Sequence, residues 1–190
     1  MGNSGASVDP STRAIHVGHT PVMHLNREGL ELAGFVGFTP LASIDTALIP
    51  DTPGVYVVLR PGGPTPVFVD RSIAGWFKGK DPTVDVRTLE ARWVDGAEVL
   101  YIGKADARKR GGGLRQRIRE YQRFGAGKPV GHTGGAYIWQ LADSASLLIA
   151  WRATEPGEAP AGVEADMIDA FVLGYGALPF ANRKRGRRRP

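Results

Sequence analysis

The chain has 190 residues, 42% of them hydrophobic, and a formal net charge of +5. This is the size of one domain with arms or decoration, with enough apolar residues to bury a real core. No apolar run is long enough to span a bilayer, and the absence of cysteine excludes disulfides and Cys-ligated zinc, which fits a reducing, cytoplasmic setting.

Residues 1–24 mix Gly, Ser and Pro with His16, His19 and His24 and read as a weakly ordered arm. They hold no apolar core of a secretory signal, and the histidine spacing fits no metal motif. From Leu25 to Leu48, short apolar pieces broken by Gly and Pro predict one helix and a connector. Val55-Tyr56-Val57-Val58-Leu59 is a β-rich run, followed by the turn cluster Pro61-Gly62-Gly63-Pro64. Residues 66–95 carry Val67-Phe68-Val69, Trp76-Phe77 and Trp93-Val94, and predict an ordered insertion.

Val99 to Ile102 predicts a second strand. A basic, glycine-rich loop follows (Arg108 to Gly113), then a helix from Leu114 to about Phe124. Two further strands are expected, Ala136–Leu141 and Leu147–Arg152. After the loop Thr154–Gly162, a helix is expected over Val163–Leu173. Six of the last eight residues, Arg183 to Pro190, are basic, and without them the rest of the chain is close to neutral. That tail reads as a solvated end able to grip phosphates non-specifically. The alternation of strand and helix argues one mixed α/β (α+β) domain over residues 25–182. A small, mostly antiparallel sheet flanked by helices is expected.

Each of the two long helices carries one charge on its apolar face. At about 100° per residue, Leu114, Ile118, Tyr121 and Phe124 share an arc, and Arg117 falls inside it. Arg115, Gln116, Arg119, Glu120 and Arg123 lie outside. In the later helix Val163, Met167, Ile168, Ala170 and Phe171 form the apolar face. Asp166 and Asp169 sit opposite, and Glu164 falls between Phe171 and Ile168. A charge in such a place must be compensated by an ion, a hydrogen bond or a metal. Three structural readings compete: a buried Arg117–Glu164 ion pair, a dipole interaction at the helix start, and a functional site.

Pro53-Gly54-Val55-Tyr56-Val57-Val58 resembles the first signature of the GIY-YIG nuclease superfamily. Val99-Leu100-Tyr101-Ile102-Gly103-Lys104-Ala105 resembles the second, including the lysine of its repair branch. Leu114-Arg115-Gln116-Arg117-Ile118 is similar to the segment bearing the family arginine, matched by Arg117. Glu164 matches the acidic metal ligand, and Leu178-Pro179-Phe180-Ala181-Asn182 resembles the terminal segment with its asparagine. The likeness covers roughly residues 53–182 in motif order. The chain departs from the pattern in the insertion between the tyrosine motifs and in the longer loop before the arginine, so that Arg110 or Arg115 are alternatives to Arg117.

The resemblance implies a site of Tyr56, Tyr101, Lys104, Arg117, Glu164 and Asn182 that hydrolyses DNA phosphodiester bonds. One divalent ion, magnesium or manganese, would be held by Glu164. Such hydrolysis needs a deprotonated water, stabilisation of the phosphorane and neutralisation of the leaving 3′ oxygen. A lone carboxylate with water and phosphate oxygens suits magnesium. Arg117 offers a planar fork to phosphate. Tyr101 or Tyr56 is the candidate general base, with Tyr101 preferred and Lys104 or metal-bound water needed to lower a pKa that is otherwise near 10. Asn182 would orient a neighbour or a backbone group.

Lys104, Arg108, Lys109, Arg110, Arg115 and Arg119, with Arg123, form a candidate DNA-backbone surface, against the plainer reading of a solvated helix face. His132, before Gly134-Gly135, reads as a loop residue near the cleft and stays outside the expected site. Gly125-Ala126-Gly127-Lys128 lacks the spacing of a phosphate loop. The competing functional reading is a non-catalytic nucleic-acid-binding module on the same fold.

Overall fold

The computed structural model of the chain describes residues 24–107, 112–132 and 134–186. The expected arm before His24, the loop residues Arg108, Lys109 and Arg110, and the last four residues of the tail lie outside them. Among the described residues the architecture is α+β. Strands β1 (Val36–Pro40), β2 (Gly54–Leu59), β3 (Val99–Ala105) and β4 (Leu148–Ala153) form one antiparallel sheet in the order β1-β4-β2-β3. Helices α1 (Arg27–Leu32), α2 (Val86–Glu90), α3 (Leu114–Gly125) and α4 (Pro160–Tyr175) complete it.

The hydrophobic run of β2 is continuous rather than alternating, and the sheet shows why. β2 is paired on both sides, and all six of its residues are buried. One face packs Tyr56 and Val58 with Tyr101 against Leu114, Ile118, Tyr121 and Phe124 of α3. The other packs Val55, Val57, Leu59 and Ile102 against Met167, Ile168 and Phe171 of α4. Burying such side chains is worth about 1.5–3 kcal/mol each. A one-residue slip would exchange the two sets, so the register is firmly held.

The start of α3 is unusual. Gly113 supplies no side-chain cap. The chain just before β2 replaces it: Leu114 N donates to Thr52 O (2.8 Å), Arg115 N to Pro50 O (3.2 Å) and Gly113 N to the Asp51 carboxylate (3.0 Å). The first turn of α3, which carries Arg117, is thereby fixed to the entry of β2. α4 opens on Pro160 and closes on left-handed Gly176, whose N–H reaches Val172 O at 2.8 Å.

Two sequence expectations need correction. Ala136–Gln140 is a 3-10 helix, not a strand. Left-handed Gly135 turns the chain into it, and the buried Gln140 side chain takes over the pairing a strand would have made. Its amide accepts from Val84 N (2.8 Å) and donates to Val69 O (3.1 Å) and Val84 O (3.0 Å). The region Leu25 to Leu48 contains, besides α1, the edge strand β1. Positive φ angles at Gly37 and Phe38 interrupt its pairing with β4, which is why no alternation marks it in the sequence.

Residues 66–95 are tied to the domain throughout. Beyond the Gln140 clamp, Ala142 N bonds Val67 O (2.9 Å), Ile73 N bonds Trp139 O (3.1 Å) and Gly75 N bonds Phe124 O (2.8 Å). Among the described residues, no helix is long and apolar enough to cross a membrane.

Candidate functional site

The tyrosines come together through sheet register. Tyr56 lies opposite Gly103, and Val58 lies opposite Tyr101. Tyr56 and Tyr101 are therefore diagonal neighbours on one face, with ring centroids 5.9 Å apart and an edge-to-face tilt. Gly103 is needed for this. A Cβ there would sit 2.6 Å from Tyr56 Cζ and 2.9 Å from the Tyr101 ring. Gly54 is equally constrained, since a Cβ would lie 2.3 Å from Arg152 O and 2.6 Å from the Leu114 side chain.

α3 adds Tyr121, with centroids 6.3 Å from Tyr56 and 5.9 Å from Tyr101, and its hydroxyl donates to Gly135 O at 3.0 Å. The Gly134-Gly135 turn covers the tyrosines closely: a Cβ on Gly134 would lie 2.4 Å from Tyr101 Oη and 3.8 Å from Arg117.

Arg117 explains its place on the apolar face. Half-buried, it lies close enough to the Tyr56 hydroxyl to feel its charge and pairs with Glu120 at 3.6 Å. Burial works against its charge, but Tyr56, Tyr101 and Glu120 more than offset that, so its pKa is raised and it stays a fixed cation. The expected alternative of a direct Arg117–Glu164 ion pair is not among the ion pairs of the described residues. Arg115 points elsewhere, to Ile49 O at 2.8 Å.

All three tyrosines have pKa values raised by burial, but not equally. For Tyr56 the desolvation is opposed by Arg117 and by the neighbouring Tyr101 hydroxyl. Tyr101 and Tyr121 are held well above the ordinary value, Tyr101 by burial first and then by Tyr56 and Tyr121. Of the three, the Tyr56 oxygen has the better-supported anion. It is fully buried, whereas Arg117 and Glu164 are half-buried.

Glu164 stands in the first turns of α4, on the other face of the sheet. Its pKa is raised, chiefly by burial and further by Asp106. Lys104, Arg117 and Lys184 act in the opposite direction. Lys104 projects to the α4 face with Val55, and its ammonium pairs with Asp106. It thus acts on Glu164, and Arg117 is the cation beside the tyrosines. Among the described residues no group of three or more His, Cys, Asp or Glu is placed to hold a metal. A single half-buried carboxylate with one acidic neighbour fits an ion that keeps most of its water, such as magnesium, and does not fit a closed protein cage.

Asn182 has a structural post. Its amide donates to Ile102 O (2.8 Å), and its carbonyl accepts from Ile102 N (2.9 Å) on the otherwise open edge of β3. Arg92 reaches the Phe180 and Asn182 carbonyls, and Phe180 packs against Phe68 and Trp93. Residues 66–95 therefore seat the segment that closes β3 beside the tyrosine site.

His132, which the sequence places in a loop near the cleft and outside the expected site, stands against Tyr56. It is fully buried. Its Nε2 lies 3.4 Å from the Tyr56 hydroxyl, and its ring packs on Tyr121 with centroids 4.7 Å apart. A histidine in a glycine-rich loop carries no periodic signal, so its contact with Tyr56 is decided by the tertiary structure. Of the expected nucleic-acid surface, Arg119 and Arg123 are exposed on α3, away from the tyrosines. No protein-family model, curated protein or solved structure matches the chain.

Proposed function

We propose that the chain is a metal-dependent endonuclease of the GIY-YIG kind that hydrolyses DNA phosphodiester bonds. The observation that carries this reading is the gathering of Tyr56, Tyr101 and Arg117 on one face of the β2–β3 ladder, with Glu164 on α4 close enough to feel the Arg117 charge. These are the residues the motif resemblance names. Two of them are charges that neither pair with each other nor sit on a solvated face. A core built only for stability would place leucine at both positions.

In this reading the phosphate approaches Arg117, which is half-buried. Arg117 holds its non-bridging oxygens and stabilises the charge that grows on the phosphorane. Tyr56 is the base, favoured over the Tyr101 expected from sequence because Arg117 and the Tyr101 hydroxyl both support its anion. The attacking water gives its proton to Tyr56 Oη as that hydroxyl passes its own to His132 Nε2. The P–O3′ bond breaks, and the leaving oxygen takes a proton from water. Glu164 would hold a magnesium or manganese ion, which supplies charge neutralisation at the phosphate and leaving oxygen. Asn182 and Gly103 keep β3 and the tyrosine rings in register.

Plasmid DNA incubated with the protein and magnesium tests this reading. Relaxation or linearisation is expected, with loss of about 100-fold or more in Glu164→Ala. Equal cleavage by both proteins, or none by either, overturns it.

A further inference from the structure

Beside the site lies a second concavity that the proposed mechanism does not use. Trp76 to Lys80 form a tight hairpin in which Phe77 and Lys80 exchange backbone hydrogen bonds (3.3 and 3.1 Å). Lys78 and Gly79 turn the corner with positive φ. The hairpin packs on the loop that carries His132: a Cβ at Gly131 would lie 3.0 Å from the Phe77 ring. Between hairpin and domain is a cavity of about 430 Å3, in the range of small-ligand sites. Phe77 and Tyr137 supply aromatic walls, and Lys78, Lys80 and Arg183 outnumber the one acid, Asp81.

Two of these walls lie within two residues of site residues along the chain, and a third touches the loop that carries His132. Phe77 touches the residue before His132, Tyr137 follows the Gly135 turn, and Arg183 follows Asn182. The cavity thus lies beside the loop that carries His132.

We propose that this cavity receives one unpaired nucleotide of the DNA substrate, its base against Phe77 and Tyr137 and its flanking phosphates on Lys78, Lys80 and Arg183. This rests on the nuclease reading above and deepens it. The protein would then prefer DNA with an unpaired nucleotide near the scissile bond, because a base already out of the stack spares the cost of extrusion. Every base has a π-face, so the preference is for structure rather than for sequence. Trp76, 56% exposed on the same hairpin, extends the aromatic surface.

The test uses the full chain in EDTA, so that binding alone is read. Two duplexes of one sequence are compared, one fully paired and one with a single unpaired 2-aminopurine. Expected is about tenfold tighter binding of the second, with its fluorescence quenched. Phe77→Leu, which keeps an apolar contact on Gly131, and Phe77→Ala should both abolish the preference and the quench. Lys80→Glu, at an exposed position, should weaken both duplexes and flatten the salt dependence while leaving the quench at saturation. Equal affinity for the two duplexes, or an unchanged preference in folded Phe77→Leu, overturns the proposal. If magnesium-dependent, Glu164-dependent cleavage persists in that case, the pocket assignment alone has failed. If neither duplex binds, the nuclease reading falls with it.

Discussion

The hydroxyl of Tyr56 lies 3.4 Å from Nε2 of His132, and both side chains are fully buried. The contact joins the first strand motif to a loop 76 residues later and gives the phenol a proton partner other than water. His132→Asn keeps a polar group of smaller volume. It should lower kcat about 100-fold while KM changes little, and it should alter the alkaline limb of the pH–rate profile. Parental kcat in a folded His132→Asn protein would remove the imidazole from the mechanism.

Glu164 has its pKa raised mainly by burial, so the folded state favours its neutral form. The sign follows directly. Above the folded pKa the carboxylate is ionised at a cost, and stability declines as pH rises from the unfolded value to the folded one. Glu164→Gln should therefore melt at the same temperature as the parent or higher near neutral pH, while cleavage is lost. A lower melting temperature would mark Glu164 as a structural charge instead. EDTA should abolish cleavage by the parent without changing its circular dichroism.

Asn182 satisfies both backbone groups of Ile102 at once. Asn182→Ala leaves a buried N–H and a buried C=O without these partners, and should cost about 2–4 kcal/mol of unfolding free energy. Asn182→Asp should cost more, because a carboxylate oxygen would face the Ile102 carbonyl. Urea midpoints measure both. A loss of activity at unchanged stability would instead assign Asn182 a direct role at the substrate.

Gly103→Ala forces a methyl to within 2.6 Å of the Tyr56 ring in the middle of a paired strand. A destabilisation of about 1–3 kcal/mol is expected. The change should also lower cleavage more than the remaining folded fraction accounts for, since Tyr56 must move away from Arg117 and His132. Tyr56→Phe combined with Gly103→Ala should be less than additive, because the clash reaches the hydroxyl oxygen at 2.8 Å.

Tyr56, Tyr101 and Tyr121 all bind their protons more tightly folded than at the ordinary value of 10.0. Their contribution is fully present below that value and is lost as pH rises through the folded pKa values, because only the unfolded chain can ionise them freely. Chemical-denaturation midpoints should hold up to about pH 10 and fall beyond it. The fall should be shallower in Tyr121→Phe. A fall as steep in Tyr121→Phe as in the parent would mean that Tyr121 ionises equally in both states.

By itself the sequence determined the sheet's two central strands and the two long helices, and it singled out Arg117 and Glu164. Each of these rests on local physics: a continuous β-branched run, a 3.6-residue period, and charges set against that period at Arg117 and Glu164. It also marked Gly103 and Asn182, although not that one makes room for a phenol and the other closes a strand edge. The tertiary structure alone decided which cation serves which group. Lys104 and Arg117 look alike in sequence, but strand alternation sends Lys104 to the α4 face and Asp106, while α3 brings Arg117 to Tyr56. It also decided that Ala136–Gln140 curls into a helix around a buried glutamine and that His132 meets Tyr56. Those relationships join residues far apart in the chain through side chains with no periodic neighbours, and a long-range contact of that kind leaves no trace in local pattern.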